Sequence, residues 1–430
     1  MTASKKLHRL TPLCALLVAG IASATNGYFP HGYGMKSQGM GGTSTALAQD
    51  SYGGANNPAS MVWAGSRLDV GAAWFSPVRD AERSGAMMPT LNGKVSSDRE
   101  HFLVPEMGYN RMLNNDLSIG VSVYGNGGMN TTYPQGNFNC GGGAANLLCG
   151  GGTMGVDLIQ LVVAPTVAYK LNAQHALGAS VLLGYQRFKM QGVQSFDNAP
   201  GFPPFTGAPG SVTNRGSDSA TGAGLRIGYM GRLNDTFSIG ASYSSKVNMG
   251  QFDKYKGLFA GGGDFDIPSN YSVGMAYSPN ADWTIALDYG RVNYSDVAAV
   301  GNQSLPVAPL GANNGPGFGW KDINIVKLGA AWRVSPNLTL RAGYNKGDNP
   351  VTASNVTFNI LAPGVITSHY TAGFTYALGK DSEVTAALMV APRVTVSGPS
   401  LFNGFMGGAA GFETIGMRQT SLGVAYSIKF

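Results

Sequence analysis

Lys327, Arg333 and Arg341 are the side chains of this sequence best placed to meet a charged ligand. Lys327 and Arg333 fall opposite the apolar set Val326, Leu328 and Trp332, and Arg341 falls opposite Leu340 and Ala342, so all three leave the apolar face of their segments. A carboxylate on a hydrocarbon tail needs one such cation for its head and an apolar trough for its tail, worth about 0.8 kcal/mol per buried methylene. The same cations also suit an interior that pairs them with Asp288 or Asp50, and the residues alone fit both uses. Cys140 and Cys149 stand in a glycine tract, CGGGAANLLCGGG. In an exported chain they are expected to close a disulfide, because no histidine lies nearby to complete a metal site. His31, His101, His175 and His369 are scattered, and no GxSxG or other grouping of nucleophile and base occurs. Neither a metal, a cofactor nor an enzymatic reaction is expected.

These residues sit on segments that alternate with period two. Phe237, Ile239, Ala241 and Tyr243 share one face; Tyr271, Val273, Met275 and Tyr277 repeat the pattern, as do Trp283, Ile285, Leu287 and Tyr289. Each set has an aromatic at one or both ends, as a membrane-interface girdle requires. Segments of this kind predict strands at 66–77, 99–110, 116–126, 156–170, 174–190, 217–232, 235–247, 268–278, 282–292, 322–334, 337–346, 366–378, 383–395 and 416–430. Their connections alternate between short turns and long loops, which predicts a transmembrane barrel of fourteen antiparallel strands with both Thr25 and Phe430 on the periplasmic side. The last segment alternates up to a terminal phenylalanine, the ending by which the outer-membrane assembly machinery recognises a barrel.

Composition agrees. Charged residues make up 12% of the chain, with 63 glycines and 19 tyrosines. Lys5, Lys6 and Arg9 precede an apolar run from Leu10 to Ile21 and then Ala22-Ser23-Ala24, the pattern of a secretory signal, so residues 1–24 are read as a signal peptide. Removing those three from the 29 basic residues leaves 26 against 23 acidic, a net charge of about +3 that implies no nucleic-acid partner. No segment of the mature chain is apolar over the length a spanning helix needs.

Residues 25–64 break the alternation. They are rich in Gly, Ser, Ala and Asn and cannot bury themselves alone. Fourteen strands enclose a lumen wider than side chains fill, so residues 25–64 are expected to form a hatch inside a barrel of residues 65–430. Two further features stand out. Leu147, Leu148, Phe196, Phe202 and Phe205 lie in long loops, where they either expose a greasy binding patch or pack between loops as a cap. Tyr124-Gly125-Asn126-Gly127-Gly128 interrupts the third strand, as a bulge or bend in the wall or as the strand's end.

Asn57-Pro58-Ala59, Thr132-Tyr133-Pro134, the run from Pro268 to Asp282, Trp320-Lys321-Asp322, and LTLRAGY at Leu338 to Tyr344 before Pro350-Val351 together resemble the FadL family of outer-membrane transporters. The resemblance implies a monomeric barrel in the outer membrane of a Gram-negative bacterium, surrounded by its lipid. It also implies uptake of long-chain fatty acids or other hydrophobic small molecules such as aromatic hydrocarbons. Ligand would be caught between external loops, pass a pocket at a hatch carrying Asn57, Pro58 and Ala59, and leave through a side opening at a kink in the third strand. The cysteine pair departs from the family's pattern. A general porin, which should show a charged constriction loop and no long plug, and a surface receptor or adhesin, which needs no continuous apolar path, are the rival readings.

Overall fold

The computed structural model describes residues 25–200, 204–305 and 308–430. The signal-peptide reading and Phe202 lie outside these residues. Fourteen long strands follow in order: β1 Arg67–Ser84, β2 Phe102–Met112, β3 Leu117–Tyr133, β4 Met154–Lys170, β5 His175–Gln191, β6 Asp218–Arg232, β7 Phe237–Ser244, β8 Asn270–Tyr277, β9 Trp283–Val292, β10 Ile323–Ser335, β11 Leu338–Gly347, β12 Ser368–Ala377, β13 Ser382–Pro399 and β14 Phe412–Lys429. Each pairs antiparallel with its chain neighbour, and β14 pairs with β1, from Arg67 opposite Lys429 to Ser84 opposite Phe412, so the sheet closes on itself. Closure leaves no open edge at the β14–β1 seam to be satisfied in lipid. Among the described residues no helix is long and apolar enough to cross a membrane.

Side chains obey the two-residue period. Tyr243, Tyr271, Val273, Met275, Tyr277, Trp283, Leu340, Phe374 and Tyr376 are exposed on the outer face, while the residues between them point inward. Four of the short turns are built alike. Asn114, Asn172, Asn234 and Asn280 each accept two backbone N–H bonds on their side-chain oxygen, from residues two and three positions on. This is the local mimicry that makes asparagine a turn residue.

The third strand differs from the sequence expectation. It does not end at residue 126 but continues to Tyr133, with the Tyr124–Gly128 stretch inside it. The register against β4 shifts between Gly125 and Gly127, so Asn126 is a bulge residue. A bulge inverts the in–out phase, which is why the strand's second half did not read as alternation.

Residues 25–64 lie against the inward faces of the strands and are mostly buried. They are held by polar groups spread around the wall. Lys36 reaches Glu383 on β13 at 2.6 Å, Arg67 on β1 joins the same carboxylate at 2.9 Å, and Ser51 N–H donates to Asp69 over 2.8 Å. Asp288 on β9 accepts from Ser44 N, Thr45 N and Thr45 Oγ1 at 2.8 to 3.0 Å. Close approach needs glycine on both sides at one point: a Cβ on Gly343 of β11 would come 2.1 Å from the Gly41 nitrogen.

Candidate functional site

The geometry is built outward from Asn57. Its side-chain oxygen accepts from Ala59 N at 3.1 Å, capping the 3-10 turn Pro58–Ser60, while its Nδ2 donates to Thr45 O at 2.7 Å and to Tyr229 O on β6 at 2.8 Å. Asn57-Pro58-Ala59 thus ties two arms of the inner segment to the wall. On the loop side of this segment sits an aromatic cluster. Tyr28 packs on Phe265, Tyr294 and Trp320 with ring centroids 6.2, 5.2 and 5.8 Å apart. Tyr294 OH donates to Asn26 O at 2.6 Å and accepts from Tyr28 N at 3.1 Å. Trp320 Nε1 donates to Asn359 Oδ1 at 2.5 Å. Tyr294 and Trp320 therefore keep their polar atoms paired, while the Tyr28 hydroxyl has no hydrogen-bond partner among the described residues.

Above the cluster, Phe265 meets Phe259 at 4.9 Å, and Phe259 lines an apolar chamber of about 40 Å³ together with Met190, Phe196, Phe318 and Phe358. Phe196 also packs on Phe205 at 5.1 Å, and Phe205 on Phe405 at 5.0 Å. Phe405, Met406, Met88 and Met87, the last 82% exposed, are open to the outside of the loops. A chain of apolar side chains therefore runs from the loop surface to Tyr28.

Of the two arrangements expected for these loop residues, this packing is the cap. Leu147, Leu148, Phe196 and Phe205 do not expose a patch; all four are buried between loops. Apolar residues exposed on the loops include Met87, Met88, Phe405 and Met406, which the sequence reading passed over although SLFNGFMGG is as apolar as the loop of Phe196 and Phe205. Cys140 and Cys149 are joined as a disulfide with Cα atoms 5.7 Å apart. Ser195 Oγ donates to Leu148 O at 2.6 Å, so the bridged loop is pinned to its neighbour.

The three cations do not share one trough. Lys327 donates to Gly42 O at 3.2 Å and lines a chamber of about 90 Å³ beside Phe29, Tyr33, Arg226 and Arg291. Arg333 and Arg341 instead line a polar chamber of about 680 Å³ at the short-turn end, with Arg232, Asp235 and Asp282. Six residues of strand separate Lys327 from Arg333, about 20 Å at the usual rise, and this carries them past the inner segment. Lys327 stands directly opposite Asp288 in the β9–β10 register. Asp288 Oδ2 accepts from Ser44 N, Thr45 N and Thr45 Oγ1, and Oδ1 has no hydrogen-bond partner among the described residues. His31 and His369, far apart in sequence, stack with ring centroids 5.9 Å apart.

The wall itself is incomplete at one place. β2 and β3 pair from Met112 opposite Ser118 up to Glu106 opposite Tyr124 and no further. Beyond that, residues 102–105 of β2 pair with β1, and β3 from Gly125 to Tyr133 pairs, among the barrel strands, with β4. The two strands part at the bulge, leaving a gap lined on the inside by Pro105, Tyr124, Gly125 and the inner segment.

A fourteen-stranded barrel with an internal N-terminal segment and a parted third strand invites comparison with known proteins. Residues 15–399 match the family described as "Outer membrane protein transport protein (OMPP1/FadL/TodX)". The chain belongs to this family. Its members are transport proteins of the outer membrane rather than enzymes. The long-chain fatty acid transport protein of Escherichia coli (strain K12) is 24% identical over 380 residues, 79% of this chain and 81% of the relative. Among solved structures, the toluene transporter TodX of P. putida superposes with a TM-score of 0.70 at 21% identity, covering 93% of this chain and 99% of that one. A Pseudomonas aeruginosa FadL homologue gives 0.65 at 15% identity, covering 96% and 100%. These likenesses place the fold, and the family places the barrel in the outer membrane.

Proposed function

We propose that this chain is a passive channel that takes up hydrophobic small molecules, long-chain fatty acids or aromatic hydrocarbons, and releases them sideways into the bilayer. The single observation that carries the reading is the parting of β2 and β3 beyond Glu106 and Tyr124, met on the inside by an apolar path. Cargo lands on Met87, Met88, Phe405 and Met406, passes the rings of Phe205, Phe196 and Phe259, and reaches Tyr28 at the gap. Residues 25–64 serve as the hatch that keeps this path from conducting water. A carboxylate head finds Lys327, which donates to Gly42 O at 3.2 Å; an aromatic hydrocarbon needs no such partner. Both termini lie on the periplasmic side, the chain acts as a monomer, and the strand ending at Phe430 presents it to the barrel-assembly machinery. Fatty acid and toluene transporters among the relatives support the substrate class.

The test is uptake of radiolabelled oleate and toluene by cells with and without the protein, repeated for a Pro105→Cys, Gly125→Cys pair oxidised across the gap. Uptake should depend on the protein, fall on oxidation and return on reduction, with the unsubstituted protein treated alike as control. Equal uptake with and without the protein rejects transport. Uptake that survives the cross-link rejects the sideways route.

A further inference from the structure

Glu106 is the last residue of β2 to pair with β3, and it is 6% exposed. One of its oxygens, Oε2, accepts from Gly34 N at 3.1 Å and from Gln38 Nε2 at 3.4 Å, both on the inner segment. The other, Oε1, is buried and has no hydrogen-bond partner among the described residues. A buried polar atom left without a partner costs about 1–3 kcal/mol, so its retention at this spot asks for a use. Glu106 lines a cavity of about 30 Å³ together with Pro105, Tyr124, Gly125, His31 and Tyr33. That is room for a water molecule or one hydroxyl group, placed where β2 and β3 part. No lysine or arginine lines it.

We propose that Glu106 is a specificity-determining residue of the wall gap, whose free oxygen hydrogen-bonds the neutral O–H end of cargo as it leaves. The ligand class is a hydrophobic molecule ending in an alcohol, a phenol or a protonated carboxylic acid. A carboxyl oxygen pairs with such an O–H whichever protonation state it holds. An ionised head finds no cation in this cavity, whereas its neutral form finds a partner. A hydroxyl would otherwise cross from the lumen into hydrocarbon with its hydrogen bond unmade, at a cost of the same order as the orphaned carboxyl oxygen. Each group satisfies the other. A pure hydrocarbon gains nothing from Glu106 and loses nothing without it.

This inference rests on the sideways route proposed above, and its test separates the two. Purified protein in liposomes would be assayed for transfer of 1-decanol and decane, as wild type, as Glu106→Leu, as Glu106→Gln, and as the Pro105→Cys, Gly125→Cys pair cross-linked. Leucine removes the acceptor: decanol transfer should fall about tenfold, the value of one hydrogen bond in this range, with decane unchanged. Glutamine keeps the shape, an oxygen for Gly34 and Gln38 and a hydrogen-bonding atom for the hydroxyl, so decanol should stay within about twofold of wild type. If decanol and decane fall together in Glu106→Leu, Glu106 anchors the inner segment and nothing more, and the proposal is overturned. Unchanged decanol in that variant overturns it equally. If the cross-linked protein still passes decane at the wild-type rate, the sideways route fails, and Glu106 loses its place on it. Cross-linking that stops both probes, with decanol alone responding to Leu, supports both.

Discussion

A methyl group placed on Gly127 would lie 2.2 Å from the backbone oxygen of Tyr28. The outer half of β3 and the start of the inner segment therefore fit together only because that position bears no side chain. Gly127→Val should push Tyr28 and Phe29 off the wall while leaving the β3–β4 ladder intact. The expected readout is planar-bilayer conductance above wild type, new protease cleavage near Tyr28, and normal heat-modifiability on gels. Wild-type conductance and cleavage together would mean that the segment yields without leaving its seat.

Deleting residues 25–50 after the signal tests the larger claim that the inner segment closes the lumen. The anchors from Ser51 onward remain, among them Ser51 to Asp69, Arg226 to Gly54 and Asn57 to Tyr229. Conductance should then exceed that of Gly127→Val, because the whole of the loop-side half is gone. Conductance equal to the intact protein would place the barrier elsewhere.

Asn57→Ala removes one cap and two backbone-directed donors at a single buried position. The loss should be about 3 kcal/mol of local stability, which is about a hundredfold faster amide exchange for residues 43–60 if they open as a unit. Asn57→Asp keeps the oxygen that caps Ala59 but cannot donate to Thr45 or Tyr229. It should therefore recover only part of the loss. Full recovery by aspartate would assign the position to capping alone.

The barrel was legible because lipid imposes a rule on every strand. Outward positions such as Tyr243, Tyr277 and Trp283 must be apolar and inward ones need not be, so a two-residue period survives in single segments. The strand ends were read less well wherever the rule stops applying. β1 runs on through Arg79, Asp80 and Arg83 to Ser84, beyond the apolar band, where polar residues read as loop. At Asn126 the bulge shifted the phase and hid seven further residues of β3. The site was less legible still. Glu106 lies in an unremarkable strand, and what sets it apart is the absence of a partner for Oε1, which no local pattern encodes. Tyr28, Phe265 and Trp320 come from three distant stretches and meet only through the fold, as do His31 and His369. Lys327 and Arg333 were placed on the inward phase, but phase says nothing about which side of the inner segment a residue reaches.

Cys140 and Cys149 close a loop whose Leu147 and Leu148 are buried and whose Leu148 carbonyl is held by Ser195. Non-reducing peptide mapping of the mature protein should recover the linked pair. Two alkylatable thiols in carefully unreduced protein would contradict it. The double serine variant should lose up to about 3 kcal/mol of loop order, since the bridge limits the freedom of the open loop. Faster exchange confined to residues 138–150 would be the sign, with heat-modifiability of the barrel unchanged.

His31 offers a test by pH. Its ring stacks on His369 at 5.9 Å, and its Nε2 faces Gln38 O at 3.3 Å. Burial, with a smaller push from Lys327 and an opposing hydrogen bond to Gln38, brings its pKa down to about 4. Free histidine titrates near 6.5, so the unfolded or released segment takes up a proton more readily than the seated one. The neutral ring's contribution to seating is therefore complete above about pH 6.5 and is lost as the pH falls from there toward about 4. When the ring is fully protonated the loss is about 3 kcal/mol. Conductance of the wild-type channel should accordingly rise on acidification from pH 7 to pH 4.5. Replacing His31 with Gln preserves an N–H for the Gln38 carbonyl but cannot titrate, so its conductance should change much less over the same interval. Identical pH dependence in the two proteins would show that other groups, not His31, govern the seating of residues 25–64.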